Sequence, residues 1–243
     1  MVTVLLATFN GEKFLEEQLN SLLNQSFSDF RIVIRDDGST DNTLEIIERY
    51  KGISPEKIEI CPSGEPTHSA AGNFFKLIEL YNDDYIMLCD QDDCWLPDKI
   101  EKTLAAMKKT EENFGNDTPI LVHTDLKVVD EKLKIINNSF IKLQGLSPNF
   151  CELNNLLMQN CVTGCTSMFN KALLEKLFIL PSTVAMHDWW IALIAAAFGK
   201  IVFLNESTIL YRQHSNNEVG AKNVNDFSFI MNSFRDFYSL YHL

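Results

Sequence analysis

Residues 85–101, YIMLCDQDDCWLPDKIE, contain the pattern on which the predicted fold depends. The first five residues form a continuous apolar run, which is typical of a short strand that is buried on both faces. Three aspartates occur in the next four positions, and Pro97 then stands where proline is tolerated at the start of a helix. The stretch therefore predicts a buried strand, an acidic turn and a helix, in that order.

The same strand-then-helix pattern occurs three times before this stretch. Apolar runs predict strands over Val2–Ala7, Arg31–Arg35 and Lys57–Cys61. Apolar residues at helical spacing predict helices from Phe14 to Leu23, after Asn42, and from Asn73 to Tyr81. Glu45, three residues after Asn42, also predicts a capping box at the second helix. Such repeats favour a mostly parallel sheet covered by helices, and therefore an α/β fold.

The regular alternation stops after residue 118. Short strands are predicted over Ile120–His123, Lys127–Val129, Leu133–Ile136, Cys165–Phe169 and Ile201–Leu210, with a helix over Asp188–Phe198. The second half is therefore expected to be α+β. The chain contains only ten glycines and seven prolines, which argues against a long linker and favours a single domain.

The charge balance restricts the partners of the protein. Its 33 Asp and Glu outnumber its 21 Lys and Arg, which gives a net charge of -12, and no run of basic residues forms a local basic surface. Such a chain repels the phosphate backbone, so we expect no nucleic-acid partner. Residues 83–98 alone carry six aspartates and no Lys or Arg, which is half of the acidic excess.

The cysteines and the apolar segments predict the cellular compartment. The six cysteines include no CxxC pair and no spacing typical of a structural zinc site, so we expect reduced core thiols. The N-terminal segment lacks the basic region of a signal peptide. The longest apolar stretch, Trp189–Phe198, is well short of the ~20 residues that span a bilayer. We therefore expect a soluble cytoplasmic protein.

Asp90, Asp92 and Asp93 place three like charges close together, which is unfavourable unless a cation or solvent screens them. Mg²⁺ or Mn²⁺ would do so, because hard divalent cations bind carboxylates and leave positions for phosphate oxygens and water. A calcium-binding EF-hand loop does not fit, because Cys94 replaces a ligand and Trp95 occupies the position that requires glycine. Capping of the next helix is the structural alternative, and it explains one carboxylate only.

A second polar cluster, Asp36–Ser39, follows the second predicted strand. A carboxylate at that position can accept hydrogen bonds from a ribose hydroxyl or a base N–H, as in dinucleotide-binding folds. An Asx turn and a helix cap explain the same residues equally well, so both interpretations stay open. The sequence contains neither GxGxxG nor GxxxxGKS/T, which argues against a Rossmann dinucleotide site and a P-loop.

Together and in this order, these segments resemble the family 2 glycosyltransferases, which have the GT-A fold. The matching stretches are ATFNGEKFLEEQLNSLLNQSF, RDDGSTDNT, DQDDCWLPDKI, VTGCTSMFN, HDWW and YRQHSNN, and they extend over nearly the whole chain. Among subgroups, the chain looks most like bacterial rhamnosyltransferases that assemble surface polysaccharides. The resemblance implies a Rossmann-like nucleotide-binding half with a mostly parallel central sheet, followed by an α+β acceptor-side half.

The resemblance also implies roles for individual residues. The nucleotide pocket would be lined by Thr8, Asn10, Asp37, Asn73 and Asp90. The divalent cation, Mn²⁺ or Mg²⁺, would be bound by Asp90, Asp92 and His214. The catalytic base would be Asp188, and Gly164 would lie in the loop beside the donor and the acceptor.

The implied activity is that of a metal-dependent inverting transferase in cell-surface polysaccharide synthesis. It would move rhamnose or a hexose from a dTDP- or UDP-linked donor to a hydroxyl of a glycan or lipid-linked acceptor. Tyr211–His214 replaces the QxxRW motif of processive family members, which argues against processive synthesis. Two alternatives stay open: a sugar-1-phosphate nucleotidyltransferase, which would release pyrophosphate, and a non-catalytic sugar-nucleotide-binding protein.

Several of these residues also have structural interpretations. Asp188 precedes an apolar helix and could cap it, and a lone His214 is more often a hydrogen-bonded surface residue than a ligand. The two tryptophans after Asp188 suit a core, although an aromatic ring beside a sugar site often stacks on the pyranose. His123 and Asp125 lie at a predicted strand end and could face the acceptor.

The chain is expected to form one GT-A catalytic domain over residues 1–220. Its nucleotide-sugar-binding half would be residues 1–118, and its acceptor-side half residues 119–220. Residues 221–243 carry aromatic residues at helical spacing, which predicts a C-terminal helix. That helix could pack on the domain, contact the inner face of the membrane peripherally or mediate dimerisation. Its abrupt end at Leu243 indicates a truncation.

Overall fold

The computed structural model describes residues 1–62, 64–147, 150–177, 186–215 and 217. The described strands are β1 (Val2–Thr8), β2 (Phe30–Asp36), β3 (Ile58–Ile60), β4 (Tyr85–Cys89), β5 (Cys94–Trp95), β6 (Ile120–Val129), β7 (Ile135–Asn137), β8 (Met168–Asn170) and β9 (Lys200–Arg212). The described helices are α1 (Leu15–Leu23), α2 (Thr43–Ile53), α3 (Ala70–Leu80), α4 (Lys99–Phe114), α5 (Phe140–Leu143), α6 (Leu153–Leu156), α7 (Lys171–Leu174) and α8 (His187–Phe198).

All of these strands belong to one sheet, in the order β3-β2-β1-β4-β8-β6-β9-β5, with β7 paired to β6. The first four are parallel, as the βα repeats predicted. β8 runs antiparallel between β4 and β6, and β6 pairs parallel with β9. The carboxyl ends of β1, β2, β4, β6 and β9 therefore point to the same edge of the sheet, where ligands bind in open α/β folds.

Helices cover both faces of the sheet because its central strands are apolar on both sides. β1 is buried along its whole length, with Val4 and Leu6 in one core cluster and Leu5 in the other. α1, α2 and α4 contribute to the first cluster, whereas α3 and α8 contribute to the second. Each fully buried aliphatic side chain contributes about 1.5–3 kcal/mol, so this burial is the main stabilising interaction.

β6 runs without a break through Ile120–Val129, where the sequence predicted two strands separated by a polar segment. Two of the polar residues stay in the strand because they are buried with partners. The Thr124 hydroxyl lies 2.7 Å from the Thr208 hydroxyl of β9, and Asp125 accepts a hydrogen bond of 2.5 Å from the Ser139 hydroxyl. The prediction of two strands was wrong because those partners are remote in sequence.

The starts of two helices also differ from the sequence prediction. α3 begins at Ala70 rather than Asn73, because the Ser69 hydroxyl caps it by accepting a hydrogen bond from Gly72 N. The capping box predicted at Asn42 was wrong. The Asn42 side chain makes no cap hydrogen bond and instead donates to the Glu12 carboxylate, which joins the start of α2 to the loop after β1.

No helix in the described ranges is both long enough and apolar enough to cross a membrane. The apolar stretch Trp189–Phe198 lies within the 12-residue α8, several of whose residues belong to the second core cluster. The C-terminal helix predicted over residues 221–243 lies outside the described residues.

Gly199, between α8 and β9, allows close contact with the segment before β6. A Cβ at this position would lie 1.8 Å from the Pro119 carbonyl oxygen, a backbone atom with little freedom to move.

We expect Gly199→Ala to lower the unfolding free energy by roughly 2 kcal/mol, because the added methyl group overpacks this contact. Urea denaturation measures the change. Gly52→Ala in α2 is the matched control, because its Cβ would meet nothing within 4 Å. Equal effects of the two substitutions would contradict the contact.

Candidate active site

A cavity of about 660 Å³ lies at the carboxyl edge of the sheet. Its lining includes residues that the resemblance singled out, namely Thr8, Asp37, Asn73, Asp90, Asp92, Gly164 and Asp188. The ends of β1, β2 and β4 supply Thr8, Asp37 and Asp90, while α8 supplies Asp188. Fold geometry thus collects side chains that are remote in sequence into one concave site.

The buried Arg35 guanidinium organises the end of β2. Its Nη1 donates to Asp37 Oδ1 and to Asn73 Oδ1, each at 2.8 Å, and the side chain is only 2% exposed. Asn73 Nδ2 donates in turn to the main-chain oxygens of Thr8 and Arg35, at 3.2 and 3.3 Å. Asn73 therefore links β1 to β2 at the wall of the cavity, and its amide serves the fold.

Asp37 carries a charge that its surroundings stabilise. Its carboxylate accepts hydrogen bonds from Thr67 N, the Thr67 hydroxyl and His68 N, at 2.7, 2.9 and 2.8 Å. Burial alone would raise its pKa, but the hydrogen bonds from Thr67, Arg35 and His68 outweigh burial and hold the pKa below its ordinary value. Asp37 is therefore ionised at neutral pH.

The neighbouring residue, Asp36, forms the turn after β2. Its Oδ1 accepts hydrogen bonds from Gly38 N and Ser39 N, at 3.0 and 2.8 Å, and its Oδ2 accepts one of 2.9 Å from the Thr8 hydroxyl. The Asx-turn interpretation of this cluster therefore applies to Asp36. Asp37 is the member that lines the cavity.

Asn10 and Gln91 fix the loop after β1. Asn10 has a φ of 48°, and its Oδ1 accepts a hydrogen bond of 2.8 Å from Thr40 N, so its side chain holds the loop after β2 rather than lining the described cavity. Gln91 was missed by sequence reasoning. Its Oε1 accepts a hydrogen bond of 2.8 Å from Phe9 N, and its Nε2 donates one of 2.8 Å to Phe9 O. A Cβ on Gly11 would lie 2.3 Å from the same Oε1.

His214 reaches the acidic turn from the end of β9. Its Nε2 lies 2.7 Å from Asp92 Oδ2, and Asn217 Nδ2 lies 3.4 Å from the same carboxylate oxygen. The imidazole packs on the Phe14 ring, with centroids 4.9 Å apart, and is only 9% exposed. A freely solvated surface histidine is therefore excluded.

Arg212, the last residue of β9, connects that strand to the acidic turn. Its Nε donates to Asp92 O at 2.8 Å, its Nη1 donates to Glu131 O at 2.5 Å, and its Nη2 pairs with Glu17. Its main-chain N donates to Asp93 Oδ1 at 3.2 Å. Because the guanidinium binds the main chain of Asp92, the Asp92 carboxylate stays at the cavity.

Asp93 is fully buried, whereas Asp90 and Asp92 are partly exposed. Its Oδ2 has no hydrogen-bond partner within the described residues. Burial, followed by the charges of Asp92 and Asp90, raises its pKa well above the ordinary value. Lys99 is also fully buried, with Nζ 4.6 Å from the centre of the Trp95 ring, and burial lowers its pKa to about 8.

The donor set at the cavity fits a hard divalent cation. Asp90 and Asp92, which line the cavity, offer carboxylate oxygens, and His214 beside them offers an imidazole nitrogen. Among the described residues, a different set, Asp90, Asp93 and Cys165, has ligand atoms that all lie within 4.8 Å of one another. That second set fits Mn²⁺ or Mg²⁺ poorly, because burial raises the pKa of Cys165 well above its ordinary value and keeps the thiol protonated.

Asp188 lies in the first turn of α8 and contacts the loop that precedes β8. Its Oδ2 accepts a hydrogen bond of 3.0 Å from Gly164 N, and its Oδ1 accepts one of 3.2 Å from Asn160 Nδ2. Burial raises its pKa to about 6, against the opposing effect of the Gly164 hydrogen bond. The helix N-cap is Met186, so Asp188 is not simply that cap. Sequence reasoning missed Asn160.

Gly164 lets the loop approach α8 closely. A Cβ at this position would lie 2.8 Å from His187 Nε2 and 3.3 Å from Asp188 Cβ. His187 is buried and packs on the Phe74 ring, with centroids 4.2 Å apart. Burial lowers the pKa of His187 to about 3, so this imidazole is neutral at physiological pH.

Three other residues were candidates for contact with the acceptor, and the structure places one of them, Trp189, in the cavity lining. His123 is fully buried, and the buried Asp125 carboxylate accepts hydrogen bonds from the Ser139 hydroxyl and Ile141 N. The expectation that these residues face the acceptor was wrong, because neither lines the described cavity. Trp189 does line it, and its Nε1 donates to Leu156 O at 2.6 Å.

The site thus combines a mostly parallel sheet flanked by helices with an acidic turn and the Asp188 carboxyl group, which face one cavity, as in glycosyltransferases of the GT-A type. The chain belongs to glycosyl transferase family 2, whose family model matches residues 3–178. The resemblance in the sequence is thereby confirmed, and so is the α/β GT-A fold that it implied.

Relatives and solved structures agree with this assignment. The chain is 33% identical over 228 residues to the dTDP-rhamnosyl transferase RfbG of Shigella flexneri, covering 89% of this chain and 74% of RfbG. It is 26% identical over 184 residues to the UDP-Glc:alpha-D-GlcNAc-diphosphoundecaprenol beta-1,3-glucosyltransferase WfgD of Escherichia coli, covering 74% of this chain and 64% of WfgD.

Among solved structures, TarS 1-349 of S. aureus in complex with UDP-GlcNAc has a TM-score of 0.67 and 18% identity. The alignment covers 95% of this chain and 63% of TarS 1-349. The chain thus spans less than two thirds of WfgD and of that structure. At 18% sequence identity, the structural similarity supports the assignment of the fold alone.

The Arg35 network predicts a large loss of stability when its cation is removed. Arg35→Met leaves the buried Asp37 carboxylate without its ion-pair partner, and we expect the unfolding free energy to fall by about 3–5 kcal/mol. Urea denaturation measures the change. Arg49→Met is the control, because the Arg49–Glu16 pair is half exposed and solvent screens it, so its loss should change stability much less. Similar losses in both variants would contradict the proposed importance of the buried pair.

Proposed function

We propose that this glycosyltransferase is metal-dependent and inverting, and that it moves rhamnose or a hexose from a dTDP- or UDP-linked donor to a hydroxyl of a glycan or lipid-linked saccharide. The observation that carries the proposal is the single cavity lined by Asp188, with its pKa of about 6, and by Asp90 and Asp92. The rhamnosyl- and glucosyltransferase relatives support a role in cell-surface polysaccharide synthesis.

The nucleotide would bind against the ends of β1 and β2. Thr8, Asp37 and Asn73 line this part of the cavity. The ionised Asp37 carboxylate would attract a base N–H or a ribose hydroxyl, which would share an oxygen that already accepts hydrogen bonds from Arg35, Thr67 and His68. Asn10 would act on this pocket through the loop that it holds to Thr40.

The cation would be held by Asp90, Asp92 and His214, and Asp90 would also contact the ribose. When bound, Mn²⁺ or Mg²⁺ would stabilise the negative charge that the nucleoside diphosphate gains as the glycosidic bond breaks. The Asp92–His214 contact of 2.7 Å supports this assignment, because it places an imidazole nitrogen next to a carboxylate that lines the cavity. It also explains how an anionic donor can bind beside an acidic turn.

Asp188 would accept the proton of the attacking acceptor hydroxyl. Gly164 N and Asn160 Nδ2 orient its carboxylate, which lines the cavity where that hydroxyl would bind. Direct displacement at the anomeric carbon inverts its configuration and needs no covalent enzyme intermediate. The neutral His187 does not supply a competing charge.

The proposed division of labour follows the two halves of a single catalytic domain, residues 1–220. Residues 1–118 would bind the donor, and residues 119–220 would bind the acceptor and supply Asp188 and His214. We further propose cytoplasmic action at the inner face of the membrane, supported by the lipid-linked acceptor in the name of WfgD. Residues 221–243 would provide a peripheral membrane contact or a dimer contact.

The two alternative functions make different demands on these residues. The family match favours sugar transfer over nucleotidyl transfer, and release of pyrophosphate would identify the latter. A non-catalytic sugar-nucleotide-binding protein would not require a proton acceptor. The retained carboxyl group of Asp188, with its pKa near neutrality, therefore favours an active enzyme.

Replacing the proposed base should separate catalysis from stability. We expect Asp188→Asn to lower kcat by roughly 100-fold or more while donor binding stays within about twofold, because only the proton acceptor is lost. The variant should also be slightly more stable at neutral pH, since a buried charge is removed. Turnover with a dTDP- or UDP-sugar and thermal unfolding measure both effects. Asp117→Asn is the control, because Asp117 lies on the exposed surface. Unchanged turnover in Asp188→Asn would show that the base is another residue.

The pH dependence of activity and stability should report the ionisation of Asp188. Its folded pKa of about 6 lies above the ordinary value of ~3.9, so the native state holds the proton more tightly than the unfolded chain. Its contribution to the unfolding free energy should therefore decrease as pH rises from about 4 to about 6.

The same ionisation should appear in the kinetics, because only the ionised carboxylate can accept the proton of the acceptor hydroxyl. The value of kcat/KM should rise up to about pH 6 and level off above it. A flat kcat/KM profile between pH 5 and pH 7 would contradict the assignment.

The metal assignment predicts a specific loss of binding. We expect Asp92→Ala to weaken Mn²⁺-dependent binding of UDP or dTDP by at least about 100-fold, because the cation loses a charged ligand. Isothermal titration calorimetry with and without Mn²⁺ measures the change. Asp84→Ala is the control, since Asp84 is exposed and outside the cavity lining. Unchanged affinity of Asp92→Ala in Mn²⁺ would refute the assignment.

A further inference from the structure

Cys151 and Cys161 form a close thiol pair at the wall of the cavity. Neither forms a disulfide bond, and their Sγ atoms lie 2.9 Å apart. A disulfide bond requires an S–S distance of about 2.0 Å, so only a small approach of the two sulfurs separates this pair from a covalent link. The sequence predicted reduced core thiols, because the cysteines include no CxxC pair and no spacing typical of a zinc site.

The pair is accessible to a small oxidant. Cys161 lines the cavity, and Cys151 is partly exposed. The hydrogen bond from Cys151 lowers the pKa of Cys161, which favours the thiolate that reacts with oxidants. The hydrogen bond to Cys161, followed by burial, raises the pKa of Cys151. Because Cys161 lines the cavity, it meets the oxidant first, and Cys151 is the residue that completes the bond.

We propose that Cys151 and Cys161 are a redox-modification site that forms a reversible intramolecular disulfide with hydrogen peroxide as the oxidant. The Cys161 thiolate attacks one peroxide oxygen, the O–O bond breaks, and hydroxide leaves, which gives a sulfenic acid. The Cys151 sulfur then attacks the sulfenic sulfur, the S–O bond breaks, and water leaves. Two thiols are oxidised to one disulfide, while one hydrogen peroxide is reduced to two waters.

A metal site explains the same cysteines less well. His123 Nε2 lies 3.8 Å from Cys151 Sγ, so two thiols and an imidazole are close together. A structural zinc site needs four ligands at about 2.0–2.3 Å from one ion. The ligand atoms of Cys151, Cys161 and His123 do not all lie within 4.8 Å of one another in the described residues, which favours a bond between the two sulfurs over a shared zinc ion.

The disulfide would restrain the loop that positions Asp188. Residues 151–161 include Asn160, whose amide donates to Asp188 Oδ1, and Gly164 lies three residues beyond the cross-link. Closing this loop removes conformational freedom mainly from the unfolded chain. Oxidation should therefore raise the melting temperature of the wild-type protein by about 5 °C.

The test uses the full chain, first reduced and then exposed to hydrogen peroxide. Remaining thiols are alkylated, and the digested protein is analysed by mass spectrometry. We expect a peptide cross-linked between Cys151 and Cys161 that disappears on treatment with dithiothreitol. Cys61→Ser, which removes another buried thiol, should form the same cross-link, whereas Cys151→Ser should not form it and should show no rise in melting temperature.

The proposal is overturned if both cysteines remain alkylatable after peroxide treatment, or if Cys161 becomes a sulfinic acid without any cross-link. Stoichiometric zinc bound to the pair in the purified protein would overturn it as well. If Cys151→Ser does not fold, the cross-link in the folded wild-type protein decides the question alone. The test requires no donor, acceptor or turnover, so its result is independent of the proposed transferase substrate.

Discussion

The mutual repulsion of three carboxylates at the end of β4 is the constraint that the site must satisfy. The fold gives them different environments, so that Asp93 is fully buried while Asp90 and Asp92 line the cavity. Buried Arg212 stabilises this arrangement, because its side chain binds the main chain of Asp92 and its main-chain N binds the Asp93 carboxylate. The acidic turn therefore depends on a strand that lies about 120 residues later in the chain.

Two carboxyl groups that line the same cavity have pKa values shifted in opposite directions. Hydrogen bonds overcome burial at Asp37 and lower its pKa, whereas burial dominates at Asp188 and raises its pKa to about 6. A permanently ionised group suits the recognition of donor N–H and O–H groups, and a group that titrates near neutrality suits proton transfer. The environment, not the residue type, thus separates the two proposed roles.

The sequence predicted the elements that local patterns determine. The apolar runs placed β1, β2 and β4, and the polar residues after them correctly marked the edge where the cavity lies. It did not predict Gln91 or Asn160, because each acts through one amide contact with a partner that local periodicity cannot reveal. The continuity of β6 was missed for a related reason, since its polar residues find their partners on β9 and near α5.

In the proposed mechanism, one cavity holds the donor and its cation beside Asp188. A crystal structure of the chain with Mn²⁺ and dTDP or UDP tests it most directly, because anomalous scattering locates the manganese. We predict manganese bound by Asp90, Asp92 and His214, with the diphosphate on it and the nucleoside against Asp37. Manganese between Asp90, Asp93 and Cys165, or a nucleotide bound outside this cavity, would contradict the account.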